Sequence, residues 1–499
     1  MFPNHGFSAA PVAVQFPKPV KANKAHGDNP FAWRKGLLQQ ALDQPRNPPL
    51  PKSPKKPRNK KPIEGLPARA FALKLLKSVL VQQLPLEETL DQPSQNPLSP
   101  EDKALARAIA STTLRHLGRI DKVLNKLMSK SPGNRGGDAL NIMRLTAAQI
   151  LFMNVPDHAS VSLAAELAKK DHKAKHFVKL INGVLRSLSR EKGACLDSLT
   201  FADNLPDWVR KTWETAYGAG TTEEMAKALA NEPYLDIATK SDGSELVQQL
   251  GGVLLKNGTI RLTHRGAVPD LPGFKQGDWW VQDAAAQLVP SLLSDVKNQK
   301  IADLCAAPGG KTLCLARDGA NVTAVDVSIK RLERLKENLN RVQLDAEIVA
   351  TDIVEWETEQ VFDALILDAP CSATGTARKH PDVLWLKTPD QPQKLAKLQT
   401  SLMKKAASLL KPGGKMIYAT CSLQPEEGEA LLQKVDLSNI NLSIDPISND
   451  EVFDLAGSVS KSGTIRILPH HNLQATAGDV SNRPSGMDGF FMARLVKTS

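Results

Sequence analysis

The sequence predicts a multidomain chain in which an all-α domain precedes a doubly wound α/β domain. Three observations predict it. Apolar residues recur at spacings of three and four over 66–190 with no strand-like run between them. From about residue 286, apolar runs of strand length alternate with helical stretches. The length, 499 residues, exceeds one ordinary domain and suggests about two to four.

Residues 1–62 belong to neither part. They hold twelve Lys/Arg against two acids, Asp28 and Asp43, in a chain of net charge +11, together with twelve of its 34 prolines. Proline removes backbone donors and the segment has little to bury, so an extended basic arm is expected. Such an arm suits nucleic-acid phosphates; a solubilising tail fits the composition equally well. The start lacks an apolar h-region, and no apolar run approaches the roughly 18 residues of a membrane span. A cytoplasmic protein without membrane contact is expected.

Residues 63–195 read as the helical domain. Phe71, Leu75, Leu76, Val79 and Leu80 share one face of a first helix. Ser99-Pro100-Glu101-Asp102 opens the next, with Ser99 as cap and acids in the first turn, and Leu105, Ile109 and Leu117 continue it. Ile120, Val123, Leu124 and Leu127 form another stripe. Asn134-Arg135-Gly136-Gly137 interrupts the pattern, Ile142, Leu145 and Ile150 resume it, and Phe177 to Leu188 end it. Five or more helices with short loops make a compact bundle. The basic residues between the stripes, such as Arg107, Lys122 and Lys173, suit a solvated face, of which a subset can meet phosphates.

Residues 196–285 form a mixed connecting subdomain: a helix near 205–230, then short β-like runs at 234–240 and 258–264. Trp279 and Trp280 can stack on bases, but buried packing is the more ordinary fate. Residues 286–499 carry six strand-like runs, beginning near 300, 321, 346, 362, 415 and 489, with a helix after Ser328. In doubly wound sheets ligands bind at the carboxyl ends of strands, and the residues that can do chemistry stand there.

The first run ends in Asp303-Leu304-Cys305-Ala306-Ala307-Pro308-Gly309-Gly310-Lys311. The glycines permit a sharp turn close to a ligand. Asp326 ends the second run, 23 residues after Asp303, where a carboxylate can accept ribose hydroxyls. Asp352 ends the third and can accept from an adenine amino group. Strand-end capping is the plain alternative for each acid. With no phosphate to cradle, acids near the loop favour an adenosine ligand such as S-adenosylmethionine over ATP or NAD.

There are five cysteines, Cys195, Cys305, Cys314, Cys371 and Cys421. An odd number without C-x-x-C spacing argues against disulfides and zinc, and no metal is expected. Cys371 follows the fourth run and Cys421 the fifth, both beside turn formers. Neighbouring loops of such a sheet open into one cleft, so the two thiols are expected to face each other. Cys314 falls in a helix and reads as core, Cys305 as packing against the cofactor, and Cys195 has no evident role. A thiolate suits methylation at carbon 5 of cytosine: adding it at carbon 6 makes carbon 5 nucleophilic. The thiolate needs a nearby positive field, and Lys311 is a candidate. Asp368 can bind the cytosine edge, and the base must be unpaired or flipped out to enter.

Three motifs, DLCAAPGGKT, DAPCSATGT and TCSLQPEEGE, resemble in order and spacing those of the RNA 5-methylcytosine methyltransferases. Residues 272–288 and 468–495 resemble the bacterial small-subunit rRNA (RsmB) branch, and 66–190 resembles the NusB-like RNA-binding domain of that branch. The resemblance covers about 66–499. It implies a methyltransferase acting on small-subunit ribosomal RNA, with Cys421 as nucleophile and Cys371 aiding product release. It also implies that Cys305, Ala306, Ala307, Pro308, Gly309, Gly310, Lys311, Asp326, Asp352 and Asp368 line the cofactor and cytosine site. Ala373 departs from the family, which usually has glycine there. A monomer is expected. A DNA cytosine methyltransferase would use the earlier cysteine alone. A transfer-RNA methyltransferase and a non-catalytic RNA-binding assembly factor are the remaining alternatives.

Overall fold

The structure, a computed structural model, describes residues 63–93, 98–262, 267–478 and 486–498. The basic arm expected at 1–62 lies outside them.

The amino-terminal part is helical. Its helices include Leu66–Leu80, Pro100–Arg115, Leu117–Leu127, Ala139–Phe152, Asp157–Lys170 and Val178–Arg190. Leu75, Leu76, Val79, Ile109, Ile120, Leu124, Ile142, Leu145, Ile181 and Leu185 meet in one core, as the spacing predicts. The Ser99 hydroxyl accepts from the amide of Asp102 at 3.1 Å, the expected cap. One boundary differs from expectation. Leu117 starts a new helix, because the chain leaves helical geometry at His116 (φ −112°, ψ 15°). There the buried imidazole stacks on Phe152 with ring centroids 3.8 Å apart.

Helices Asp207–Tyr217 and Ala219–Ala230 lead into an antiparallel sheet of β1 (Leu235–Thr239), β2 (Gly252–Leu255), β3 (Ile260–Leu262) and β4 (Trp279–Val281). Asp236 and Arg261 form a buried ion pair across β1 and β3, Nε to Oδ1 at 2.6 Å. Trp279 and Trp280 are buried. Their indole N–H groups donate to the Pro272 carbonyl and to Gln282 Oε1, each at 2.7 Å. Packing, not base stacking, is therefore their role.

The third part is built on β5 (Lys300–Leu304), β6 (Asn321–Asp326), β7 (Glu347–Ala350), β8 (Phe362–Asp368) and β9 (Leu410–Thr420). These run parallel in the order β7-β6-β5-β8-β9, reversing direction of addition beside β5. Helices Gly310–Arg317, Ile329–Val342 and Gln391–Leu409 connect them. The strands β10 (Leu442–Ile444) and β11 (Ile465–Ile467) also belong to this sheet, whereas β12 (Ala475–Gly478) pairs with β2 in the first one. β13 (Phe490–Lys497) lies antiparallel beside β9, making the sheet mixed.

The helical and sheet parts meet through the segment after Cys371. The Trp385 indole donates to the Leu114 carbonyl at 3.0 Å, and the Leu86 amide to Asp382 at 3.0 Å. Arg115 donates to the Arg378 carbonyl at 2.9 Å. Among the described residues no helix is long and apolar enough to cross a membrane.

Candidate active site

The carboxyl ends of β5, β6, β8 and β9 carry the predicted site. Past β5 the backbone turns at Cys305 (φ 63°) and again at Gly309 (φ 105°), a conformation that glycine adopts without a Cβ penalty. Gly310 then begins a helix, and the Ala306 amide donates to the Val325 carbonyl at 3.0 Å, which ties the turn to β6. At the second position of that helix, Lys311 Nζ reaches Asp368 Oδ2, at the end of β8, at 2.6 Å. Burial works against the lysine charge, but Asp368, Asp303 and Cys421 together hold its ammonium above the ordinary lysine range. Lys311 therefore bridges the β5 turn and the cysteine loops, with Phe490 beneath it, 5.6 Å from ring centroid to Nζ.

Cys371 and Cys421 do face each other: their sulfurs lie 3.4 Å apart. Both are partly exposed, so neither is a sealed core thiol. The contact with Cys421, then burial, push the Cys371 thiol well above the ordinary range. Either sulfur can donate to the other across this contact. The two loops also share backbone: Gly375 N–H donates to the Cys421 carbonyl and Gly489 N–H to the Gly375 carbonyl, each at 2.9 Å.

The other cysteines separate as the sequence predicts. Cys314 is buried in the helix Gly310–Arg317, its sulfur 3.3 Å from Gln282 Oε1, and burial raises its pKa to about 12. Cys195 packs in the helical core. Burial, with Asp368 and Asp326 nearby, raises the Cys305 thiol, which makes it a packing group at the turn.

Asp326 is 1% exposed. Its carboxylate accepts from the Ala307 amide (3.2 Å), the Ser328 amide (2.8 Å) and Arg331 Nη2 (2.8 Å). Of roughly four acceptor directions on a carboxylate, three are used, one of them by a half-exposed arginine that a ligand hydroxyl can displace. Asp352 is exposed and accepts from the Val354 amide at 2.9 Å, so local capping is realised there while the carboxylate still faces solvent. Beside Asp326, Val327 and Ile329 are 64% and 68% exposed. This apolar ledge next to a carboxylate fits the face and ribose of an adenosine. Sequence reasoning missed it, although two β-branched residues flanking Ser328 at a strand end were its visible signal.

Two further groups escaped notice. Asp303 is fully buried in β5, accepts from the Thr312 hydroxyl at 2.6 Å, and leaves Oδ1 without a partner. Glu427, fully buried, accepts hydrogen bonds from both residues that follow the cysteines, Ser372 and Ser422. A groove of about 980 Å³ opens at the opposite, amino ends of the strands, lined by Lys300, Asn321, Phe362 and Lys411; it holds none of the reactive groups. Among the described residues no cluster of His, Cys, Asp or Glu could hold a metal ion.

Residues 290–496 match the family model described as 16S rRNA methyltransferase RsmB/F, and residues 66–190 match that of the NusB family. The chain is 31% identical over 449 residues to the ribosomal RNA small subunit methyltransferase B of Shewanella oneidensis, covering 86% of this chain and 99% of the relative. It is 33% identical over 448 residues to the protein of the same name from Cronobacter sakazakii, covering 86% and 98%. The crystal structure of PH0851 superposes with a TM-score of 0.65 at 22% identity over 87% of this chain and 99% of that one, a likeness of fold.

Proposed function

The chain belongs to the RsmB/F family of 16S rRNA methyltransferases, and from that premise we propose that it methylates carbon 5 of one cytosine in small-subunit ribosomal RNA through a Cys421 adduct. The observation that carries this reading is the 3.4 Å approach of Cys371 and Cys421 beside the Lys311–Asp368 pair. The enzyme is S-adenosylmethionine-dependent, as its family is.

When bound, S-adenosylmethionine supplies an electrophilic methyl group on a sulfonium. The turn Cys305–Lys311 with Asp326, Asp352 and Asp368 is the place for it. Asp326 would take the ribose in place of Arg331, and Val327 and Ile329 would lie against the base.

Cys421 adds as thiolate to carbon 6 of the cytosine, which makes carbon 5 the nucleophile. Lys311, whose charge is held by Asp368, favours the thiolate. Asp368 accepts from the edge of the base. Release requires a base to take the carbon 5 proton, whose bonding electrons re-form the 5,6 double bond and expel Cys421 from carbon 6 as thiolate. Cys371, in contact with the reacting sulfur, serves that step. The assignment of the two sulfurs follows the family's motifs, with Cys421 in TCSLQPEEGE as nucleophile and Cys371 in DAPCSATGT aiding release.

The NusB-like domain binds the rRNA, and the arm 1–62 adds contacts to phosphates. We place a monomeric enzyme in the cytoplasm, acting without metal. The test is bisulfite mapping of rRNA from cells with and without the gene, complemented by wild type and by Cys421→Ala. Loss of one small-subunit cytosine mark, restored only by wild type, is expected. Restoration by Cys421→Ala would refute the nucleophile.

A further inference from the structure

We propose that Glu427 is a positioning residue for both cysteines, one buried carboxylate that fixes the separation of the two reactive loops. The proposal rests on the reading of Cys421 as nucleophile. Glu427 stands in a short 3-10 turn, Pro425–Glu427, just past β9, and touches neither sulfur through a hydrogen bond of its own. Oε1 accepts from the Ser372 amide at 2.8 Å and from Gln399 Nε2 at 3.1 Å. Oε2 accepts from the hydroxyl of Ser372 and, at 2.5 Å, from that of Ser422. The two hydroxyls are 2.9 Å apart. Ser372 directly follows Cys371 and Ser422 directly follows Cys421, so each cysteine is one peptide unit from the same carboxylate.

The surroundings leave this arrangement little freedom. Ser372, Ser422, Gln399 and Glu427 are all fully buried. Gln399 also donates to the Pro370 carbonyl at 2.9 Å, holding the segment before Cys371. The Glu427 carbonyl accepts from Tyr418 at 3.0 Å and Thr420 at 3.2 Å, both on the strand that delivers Cys421. An isolated buried carboxylate is costly unless donors surround it. Here it has four, drawn from three residues, and every one belongs to or braces a cysteine loop. A purely structural carboxylate has no reason to gather its donors from the two residues adjoining the reactive sulfurs. The charge has a second consequence. After the Cys421 contact and burial, Glu427 adds to the field that keeps the Cys371 thiol protonated. The same group that sets the spacing thus also acts on the Cys371 thiol.

Glutamine at 427 keeps the shape but replaces one acceptor oxygen, which takes two of the four contacts, with an NH2 donor, and the charge is lost. The experiment uses the full chain. Glu427→Gln is expected to bind S-adenosylmethionine within about threefold of wild type. Turnover on unmodified small-subunit rRNA should fall by about 10²-fold with little change in KM, the scale of an ångström-level misplacement. Iodoacetamide labelling between pH 6 and 10, read by mass spectrometry, should show the Cys371 profile moving to lower pH. Glu427→Asp should recover part of the rate. If Glu427→Gln does not fold, Ser372→Ala and Ser422→Ala, each cutting one tether, decide the matter: slower turnover at unchanged cofactor affinity supports the proposal, and wild-type turnover in both overturns it. A folded Glu427→Gln with wild-type turnover and labelling profiles also overturns it. Cys421→Ala, measured alongside, separates the two levels. An active Cys421→Ala refutes the nucleophile, whereas an inactive one beside a normal Glu427→Gln refutes the positioning role alone.

Discussion

The amide of Gly375 donates to the carbonyl of Cys421 at 2.9 Å, so the two cysteine loops are joined through backbone as well as through sulfur. Gly375 is there because nothing larger fits. A Cβ at that position would lie 2.0 Å from the Gly489 carbonyl oxygen and 2.8 Å from that of Cys421. Gly375→Ala must therefore push the loops apart. We expect turnover to fall by about 10²-fold or more, with the cofactor affinity nearly kept because the β5 turn is untouched. Steady-state kinetics with a separate cofactor titration check both halves.

Ala373, two residues earlier, sits in the left-handed region at φ 57°, ψ 22°. Glycine is the usual residue there in the family this chain resembles, and the backbone explains why. A non-glycine residue in that conformation costs about 1–2 kcal/mol, and part of the relief on Ala373→Gly is returned to the unfolded chain as entropy. We expect a net gain of up to about 1 kcal/mol, measured by denaturant unfolding, with turnover unchanged within a few-fold. A loss of stability would mean that the Ala373 methyl, partly buried against the Trp213 cluster, contributes more than the strain costs.

Asp368 holds Lys311 at 2.6 Å and faces the cleft. Asp368→Asn preserves its volume but removes the charge that keeps Lys311 protonated in a buried setting and replaces one acceptor oxygen with an N–H donor. We expect the rate constant for methyl transfer to fall by about 10²–10³-fold, the usual cost of one electrostatic group aimed at a reacting centre. Single-turnover assays should show that this loss exceeds any loss of cofactor affinity. The opposite ordering would make Asp368 a cofactor ligand first.

How much of this was legible in the sequence depends on range. The strand ends were, because apolar runs of strand length followed by Asp326, Asp368, Cys371 or Cys421 are local signals. The meeting of the two thiols followed from topology, since neighbouring parallel strands bring their loops together. What local pattern cannot show is pairing by distant segments. β12 joins β2 across more than two hundred residues, and β13 turns the sheet mixed. Glu427 was equally hidden. In TCSLQPEEGE nothing singles it out from Glu426 and Glu429, and only its full burial and its contact with Ser372, 55 positions earlier, reveal the tether.

Asp303 offers a test of burial by pH. Complete burial, offset in part by the Thr312 hydroxyl, raises its carboxyl from the ordinary 3.8 to about 7. Between those values the folded chain holds a proton that the unfolded chain has lost. Stability from this group is thus complete below about pH 4 and is lost as pH rises toward 7, at about 1.4 kcal/mol per pH unit at most. Asp303→Asn keeps an acceptor for Thr312 without the ionisation. The Tm of the variant relative to wild type should therefore be more favourable at pH 8 than at pH 5. A difference that stays constant across that range would show that Asp303 is not the group whose ionisation the fold resists.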